Sequence, residues 1–184
     1  MSINNVIQEV NSIQPFDTLE KQHIQETLAW VKSGDPLFRT HKPDIPPKHL
    51  VSYFVLLDSI QQKLLLVDHK LARLWLPAGG HVDPEEHPRT TAIRECVEEL
   101  NIQAAFWQDE PFFLSSDMTF DANNKPNHID VCLWYILKKP EDQTINFDTR
   151  EFHGIHWFHF DEIPFENSDP HMRRFVDKLR ASLC

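Results

Sequence analysis

Three glutamates, Glu95, Glu98 and Glu99, crowd the stretch GGHVDPEEHPRTTAIRECVEELNI, residues 79 to 102. Pro88 suits a first helical position, because a residue there has no intrahelical partner for its N–H. A helix starting near His87 and Pro88 advances 100° per residue and gathers the three carboxylates on one arc. Ala92, Ile93, Cys96, Val97 and Leu100 cover a broadly opposed, apolar arc that predicts packing on a sheet. Glu95 and Glu99 are like charges at i,i+4, a pairing that costs a few tenths of a kcal/mol, and the spacing places no Lys or Arg between them. A solvated acidic face is the plainer reading of such a run. A divalent cation, however, turns the repulsion into coordination. Three carboxylates and a backbone carbonyl from the glycine-bounded turn make a hard-oxygen site suited to Mg²⁺ or Mn²⁺.

The same residues carry a family resemblance. Gly80, Glu86, then RECVEELNI from Arg94 to Ile102 resembles the signature of the Nudix hydrolases, G-x5-E-x7-R-E-U-x-E-E-x-G-U with U a bulky aliphatic residue. Glu86, Arg94, Glu95, Glu98 and Glu99 all match. Cys96 departs from the aliphatic type without consequence for a buried helix face, and Asn101 replaces a glycine at a left-handed cap that Asn tolerates. The resemblance implies a Nudix-type α/β/α sandwich with a mixed sheet. It further implies hydrolysis of a nucleoside diphosphate linked to another moiety, such as a nucleoside triphosphate, a nucleotide sugar or a dinucleotide, with Mg²⁺ or Mn²⁺ as cofactor. By the same resemblance Glu98 and Glu99 are metal ligands, Glu95 is a ligand or orients the water, and the carbonyl of Gly79 or Gly80 is a further ligand. Arg94 pairs with Glu86 and supports the catalytic loop. A non-catalytic nucleotide-binding module on this fold is the alternative, and retention of the helix carboxylates speaks against it.

Outside this segment the signals are thinner. In NHIDVCLWY, His128 and Asp130 share one face of a strand start and are candidates for substrate or metal contact, as is His81 directly after the paired glycines. Glu151 lies in a region where some family members place a base. Arg39, Lys42, Lys70 and Arg73 are candidate phosphate contacts, and Trp75 and Phe120 could stack on a base, although most aromatics are core.

These residues need a scaffold, and the 184-residue chain, 41% hydrophobic, has material for one substantial core. FDTLEKQHIQETLAWVKSGDP predicts an N-terminal helix, capped by Asp17 with Glu20 three residues on, striped by Leu19, Ile24, Leu28 and Val31, and stopped at Gly34. A proline-rich connection then leads to a boundary near Lys48. This divides an N-terminal helical extension, residues 1–47, from a catalytic domain, residues 48–184. Strands are predicted in HLVSYFVLLDS, QKLLLVDHK, LWLPAGGHV, IDVCLWYILKK and EFHGIHWFHFDEI, and a closing helix in DPHMRRFVDKLRASL. The net charge of -10 argues against a nucleic-acid duplex or an anionic membrane as partner, leaving a small nucleotide bridged by the ions. No apolar run is long enough to span a bilayer and the start lacks a signal-peptide pattern, so a soluble, cytoplasmic protein is expected. Cys96, Cys132 and Cys184 are widely spaced and read as reduced thiols.

Overall fold

The computed structural model describes residues 3–41, 44–120, 125–141 and 143–183. Four α-helices and seven strands follow one another as α1 (Ile3–Ser12), α2 (Thr18–Ser33), β1 (Lys48–Asp58), β2 (Lys63–His69), β3 (Leu74–Leu76), β4 (Ala78–His81), α3 (Pro88–Leu100), β5 (Phe113–Phe120), β6 (Pro126–Lys138), β7 (Phe152–His159) and α4 (Met172–Leu183). The strands join in the order β3-β2-β1-β6-β5, with β4 paired to β1 and β7 to β2. The chain divides into two compact units. The first comprises residues 1–53, 80–92 and 109–135, the second residues 54–79, 93–108 and 136–184, so that β1, β4, β6 and α3 each contribute to both.

In the first unit α2 begins as its sequence predicts, with the Asp17 side chain accepting from the Glu20 amide at 2.8 Å, and ends at Gly34 with φ 87°. The expected stripe is displaced. Leu19 is exposed, and the buried face carries Glu20, His23, Ile24, Thr27, Trp30 and Val31. The two ionisable residues on that face have partners, while the buried Thr27 hydroxyl has none among the described residues. Glu20 accepts from the Phe16 amide at 2.7 Å and the Leu114 amide at 3.3 Å, while His23 receives the Ser116 amide at 3.3 Å. Two elements here were not expected, α1, which buries Val6 and Val10, and β5. Strand β5 runs antiparallel to β6 with Phe113 opposite Trp134 and Asp117 opposite Asp130. The Trp134 indole N–H donates to Ser115 Oγ at 2.9 Å, which settles two buried polar groups at once.

In the second unit β2 is a continuous buried run, Leu64 to Val67, paired antiparallel with β1, β3 and β7. A run without alternation marks a strand covered on both faces, and each fully buried aliphatic contributes roughly 1.5–3 kcal/mol relative to exposure. The stretch expected as one strand from Leu74 to Val82 is broken at Pro77, which has no N–H to give a ladder. The helical spacing of the C-terminal segment holds, since Met172, Phe175, Val176 and Leu179 are all buried on α4. Cys96 and Cys132 are buried free thiols, while Cys184 lies outside the described residues. Among the described residues no helix is long and apolar enough to cross a membrane.

Candidate functional site

Helix α3 starts at Pro88, as its sequence predicts, and ends at Asn101 with φ 51°, a left-handed cap whose amide donates to the Val97 carbonyl at 3.2 Å. That bond is the αL form of helix closure, and the Ile102 amide then reaches the Cys96 carbonyl at 3.2 Å. The rotation of the helix differs from expectation. Ile93 and Val97 are 39% and 52% exposed, and Ala92, Cys96, Glu99 and Leu100 form the buried face. At 100° per residue Val97 sits at one edge of the expected arc and Glu99 just beyond the other, so a rotation of roughly 40° exchanges them. The three carboxylates are therefore unequal. Glu98 faces solvent, the Glu95 side chain is 12% exposed, and Glu99 is 5% exposed.

That burial sets the electrostatics of the second unit. The Gly79 amide, on a glycine at φ 134°, donates to Glu99 Oε2 at 2.7 Å. One hydrogen bond does not replace the water Glu99 has lost. Burial first, then the neighbouring charge of Glu95, push its carboxyl up to about 9. Glu95 is also raised by burial, while Arg94 pulls it back. Arg94 corrects the expectation that no cation serves this arc: its Nη1 donates to Glu95 Oε1 at 2.7 Å and lies 3.3 Å from Glu98 Oε2. Its reach along the helix, one residue to Glu95 and four to Glu98, explains why a count of positions on the arc missed it. The charge of Glu151 raises both Glu95 and Glu99, which brings a fourth carboxylate into their field. Backbone bonds fix that segment, from the Lys70 amide to the Glu151 carbonyl at 2.9 Å and from the Asp148 amide to the Glu99 carbonyl at 2.8 Å. Lys70 donates its ammonium to the Thr149 carbonyl, and Trp75 packs edge-on against Phe158, with ring centroids 5.0 Å apart.

In the first unit Glu86 accepts from Thr91 Oγ1 at 2.7 Å, and Gly80 lies in β4. The remaining expected site residues, His81, His128 and Asp130, come together there. His128 Nε2 is 3.2 Å from Asp130 Oδ1, and the His81 and His128 ring centroids are 6.4 Å apart. They are joined by two residues that the sequence reading missed. His49 on β1 stacks on His128 at 4.9 Å and meets His81 at 4.7 Å, and Asp44 Oδ2 lies 3.4 Å from His128 Nδ1. Burial lowers His81 to about 4, so its ring is neutral at physiological pH. Burial pushes the Asp130 carboxyl up, but the His128 and His49 rings prevail and hold it well below the usual carboxylate range. Arg39 lies 3.6 Å from Asp44 and lines a cleft of about 200 Å³ with Thr40, His41, His81 and Asp83. Lys42 lies outside the described residues. Phe120 is exposed.

Comparison with known proteins gives a consistent picture. The NUDIX domain family matches residues 48–179. The chain is 42% identical over 52 residues to a putative 8-oxo-dGTP diphosphatase of Bacillus subtilis (strain 168), a match covering 28% of this chain and 35% of that protein. It is 33% identical over 88 residues to the asymmetrical bis(5'-nucleosyl)-tetraphosphatase of Rattus norvegicus, covering 48% and 57% of the two chains. The chain thus spans between about a third and just over half of the length of these relatives. A NUDIX family hydrolase from Clostridium perfringens is 18% identical, with a TM-score of 0.55 over 73% of this chain and 97% of its own, a likeness of fold. That fold is the α/β/α sandwich on a mixed sheet that the helix signature implied. With the family match covering well over half of the residues and including every position of the glutamate-rich signature, this chain belongs to the NUDIX domain family.

Proposed function

We propose that the protein is a divalent-metal-dependent pyrophosphohydrolase acting on a nucleoside diphosphate linked to another moiety. The observation that carries this is the state of Glu99, a carboxyl buried beside Glu95 with one amide donor and a pKa pushed up to about 9. A fold has little reason to bury such a group for stability alone. The donor set fits Mg²⁺ or Mn²⁺, because Glu95, Glu98 and Glu99 offer only oxygen and charge. These three side chains would hold the ions. When bound, such ions neutralise phosphate charge and act as Lewis acids at the bond to be broken. Arg94 links Glu95 to Glu98 and pulls the Glu95 carboxyl back down against its burial. Glu151, whose charge is felt by Glu95 and Glu99, would orient the attacking water or accept its proton. The Gly79 amide holds Glu99 in a single rotamer, so the cluster is organised before substrate arrives.

The relatives suggest the substrate class. One is named for 8-oxo-dGTP and another for a dinucleoside tetraphosphate, and both contain the linkage that this chemistry would cleave. The protein is expected to turn over at least one member of a panel of nucleoside triphosphates, nucleotide sugars and dinucleoside polyphosphates, with Mg²⁺ or Mn²⁺, in ¹⁸O-enriched water. Mass spectrometry should find the label on a phosphate of one product, as attack at phosphorus requires. Turnover of no member, or label on carbon, would overturn the proposal. His81, His128 and Asp130, candidates for substrate contact on sequence alone, stay outside this catalytic assignment because their polar atoms converge on one another.

A further inference from the structure

We propose that Asp44, His49, His81 and His128 form a second metal centre, for a transition ion of the Zn²⁺ class, built entirely within the first unit. Each of the four offers one ligand atom, and these atoms all lie within 4.8 Å of one another. A tetrahedral site with bonds of about 2.0–2.1 Å spaces its ligand atoms about 3.3 Å apart, so ordinary side-chain adjustment of about an ångström closes the shell. Three imidazoles and one carboxylate are a poor match for Mg²⁺ and a good one for Zn²⁺ or its neighbours Co²⁺ and Ni²⁺. The all-oxygen glutamate set on α3 has the opposite preference.

A second observation points to a cation independently of the residue types. His49 is fully buried, and its Nδ1 lies 2.9 Å from the Pro46 carbonyl, which can only accept. Nε2 is then the ring nitrogen left for another partner. It lies 3.1 Å from Asp130 Oδ1, and both atoms are buried without a hydrogen bond of good geometry between them. A buried ring nitrogen and a carboxylate held this close need a positive charge beside them, and a metal ion supplies it as well as a second ring proton does. The pattern is also the one metal-bound histidines adopt, with one ring nitrogen given to a backbone carbonyl or carboxylate and the other to the ion. His128 gives Nε2 to Asp130 Oδ1 at 3.2 Å, and its Nδ1, 3.4 Å from Asp44 Oδ2, meets the Asn127 side-chain amide at 2.7 Å and Thr119 Oγ1 at 3.0 Å, contacts that a bound ion would replace. Asp130 thus serves as the carboxylate that orients the His128 ring, and with Asp44 it supplies two negative charges against a divalent ion.

The four residues come from the loop before β1, from β1, from the end of β4 and from the start of β6. A bound ion therefore ties together segments far apart in sequence, a structural role for which four protein ligands and no open position are typical.

The test is metal binding by the whole chain, read without reference to hydrolysis. Purified protein stripped with chelator is dialysed against Zn²⁺ in excess Mg²⁺, and bound metal is measured by mass spectrometry. X-ray absorption at the zinc edge then reads the ligands. One equivalent of Zn²⁺, with the outer-shell scattering of imidazole rings, is expected in the wild type and equally in Glu98→Gln. Asp44→Asn and His128→Gln, both at partly exposed positions, should weaken binding by about tenfold or more. Folding of each variant is checked by circular dichroism. Failure to retain Zn²⁺, an oxygen-only shell, or unchanged affinity in both variants would overturn the proposal. Should a variant fail to fold, the absorption spectrum of the wild type decides alone.

Discussion

Replacing Glu99 by Gln tests the electrostatics of α3 without activity as a readout. The metal-free folded protein holds a proton on Glu99 up to about pH 9, whereas the unfolded chain releases it near 4.5. Between these values the native state binds more protons than the unfolded state. Stability is therefore complete at low pH and falls as pH rises, by about 1.4 kcal/mol per unit. From about pH 5.5 to about pH 7.5 the loss is roughly 3 kcal/mol. For a chain of this size, that is a fall in melting temperature of about 6–12 °C. Gln keeps an oxygen for the Gly79 amide and has no proton to release, so the variant should lose this slope. Calorimetry in chelator at both pH values, on both proteins, gives the difference directly, because groups such as His81 and His128 act alike in each. Saturating Mn²⁺ should raise the wild-type melting temperature more at the higher pH, where the ion displaces fewer protons. Parallel curves for wild type and variant in chelator would refute the reasoning.

Other substitutions probe separate parts of the structure. Because Asn101 stands at φ 51°, Asn101→Gly should be neutral or slightly stabilising, and Asn101→Val should cost about 1 kcal/mol or more by denaturant unfolding. Asp17→Ala removes the acceptor for the Glu20 amide and should cost about 1 kcal/mol in the same assay. Arg94→Ala takes from Glu95 the cation that pulls its pKa down. The acid limb of the pH–rate profile should then move to higher pH, and an unmoved limb would show that Glu95 does not control it.

The family signature on α3 was legible because it rests on residue types at fixed spacing, and the cap at Asn101 followed from the same pattern. The rotation of the helix was not, since a turn of roughly 40° decides whether Glu99 or Val97 is buried, and that choice depends on partners such as Gly79, twenty positions away. Strand β5 escaped because FLSSDMTF carries Ser, Ser and Asp where a strand pattern needs apolar residues. Ser115 is buried there only because Trp134 reaches it. Helix α1 was missed because its two core contacts, Val6 and Val10, sit among Asn, Gln and Glu. The histidine cluster had no sequence signature, as its members come from four segments. His49 opens a strand where its neighbours suggest only an apolar run, and nothing local marks it as facing His81 and His128.

The central claim is that the carboxylates of α3 hold the ions for pyrophosphate hydrolysis, and steady-state turnover of wild type and Glu98→Gln tests it most directly. Glu98 is solvent-exposed, so its replacement leaves the fold intact and any loss belongs to the chemistry. With Mg²⁺ the wild type should hydrolyse a nucleoside triphosphate or dinucleoside tetraphosphate, and chelator should abolish the reaction. Glu98→Gln should lower kcat by on the order of 10²–10³-fold, as for loss of one group that stabilises transition-state charge. Turnover that survives the chelator, or a variant as fast as the wild type, would contradict the account.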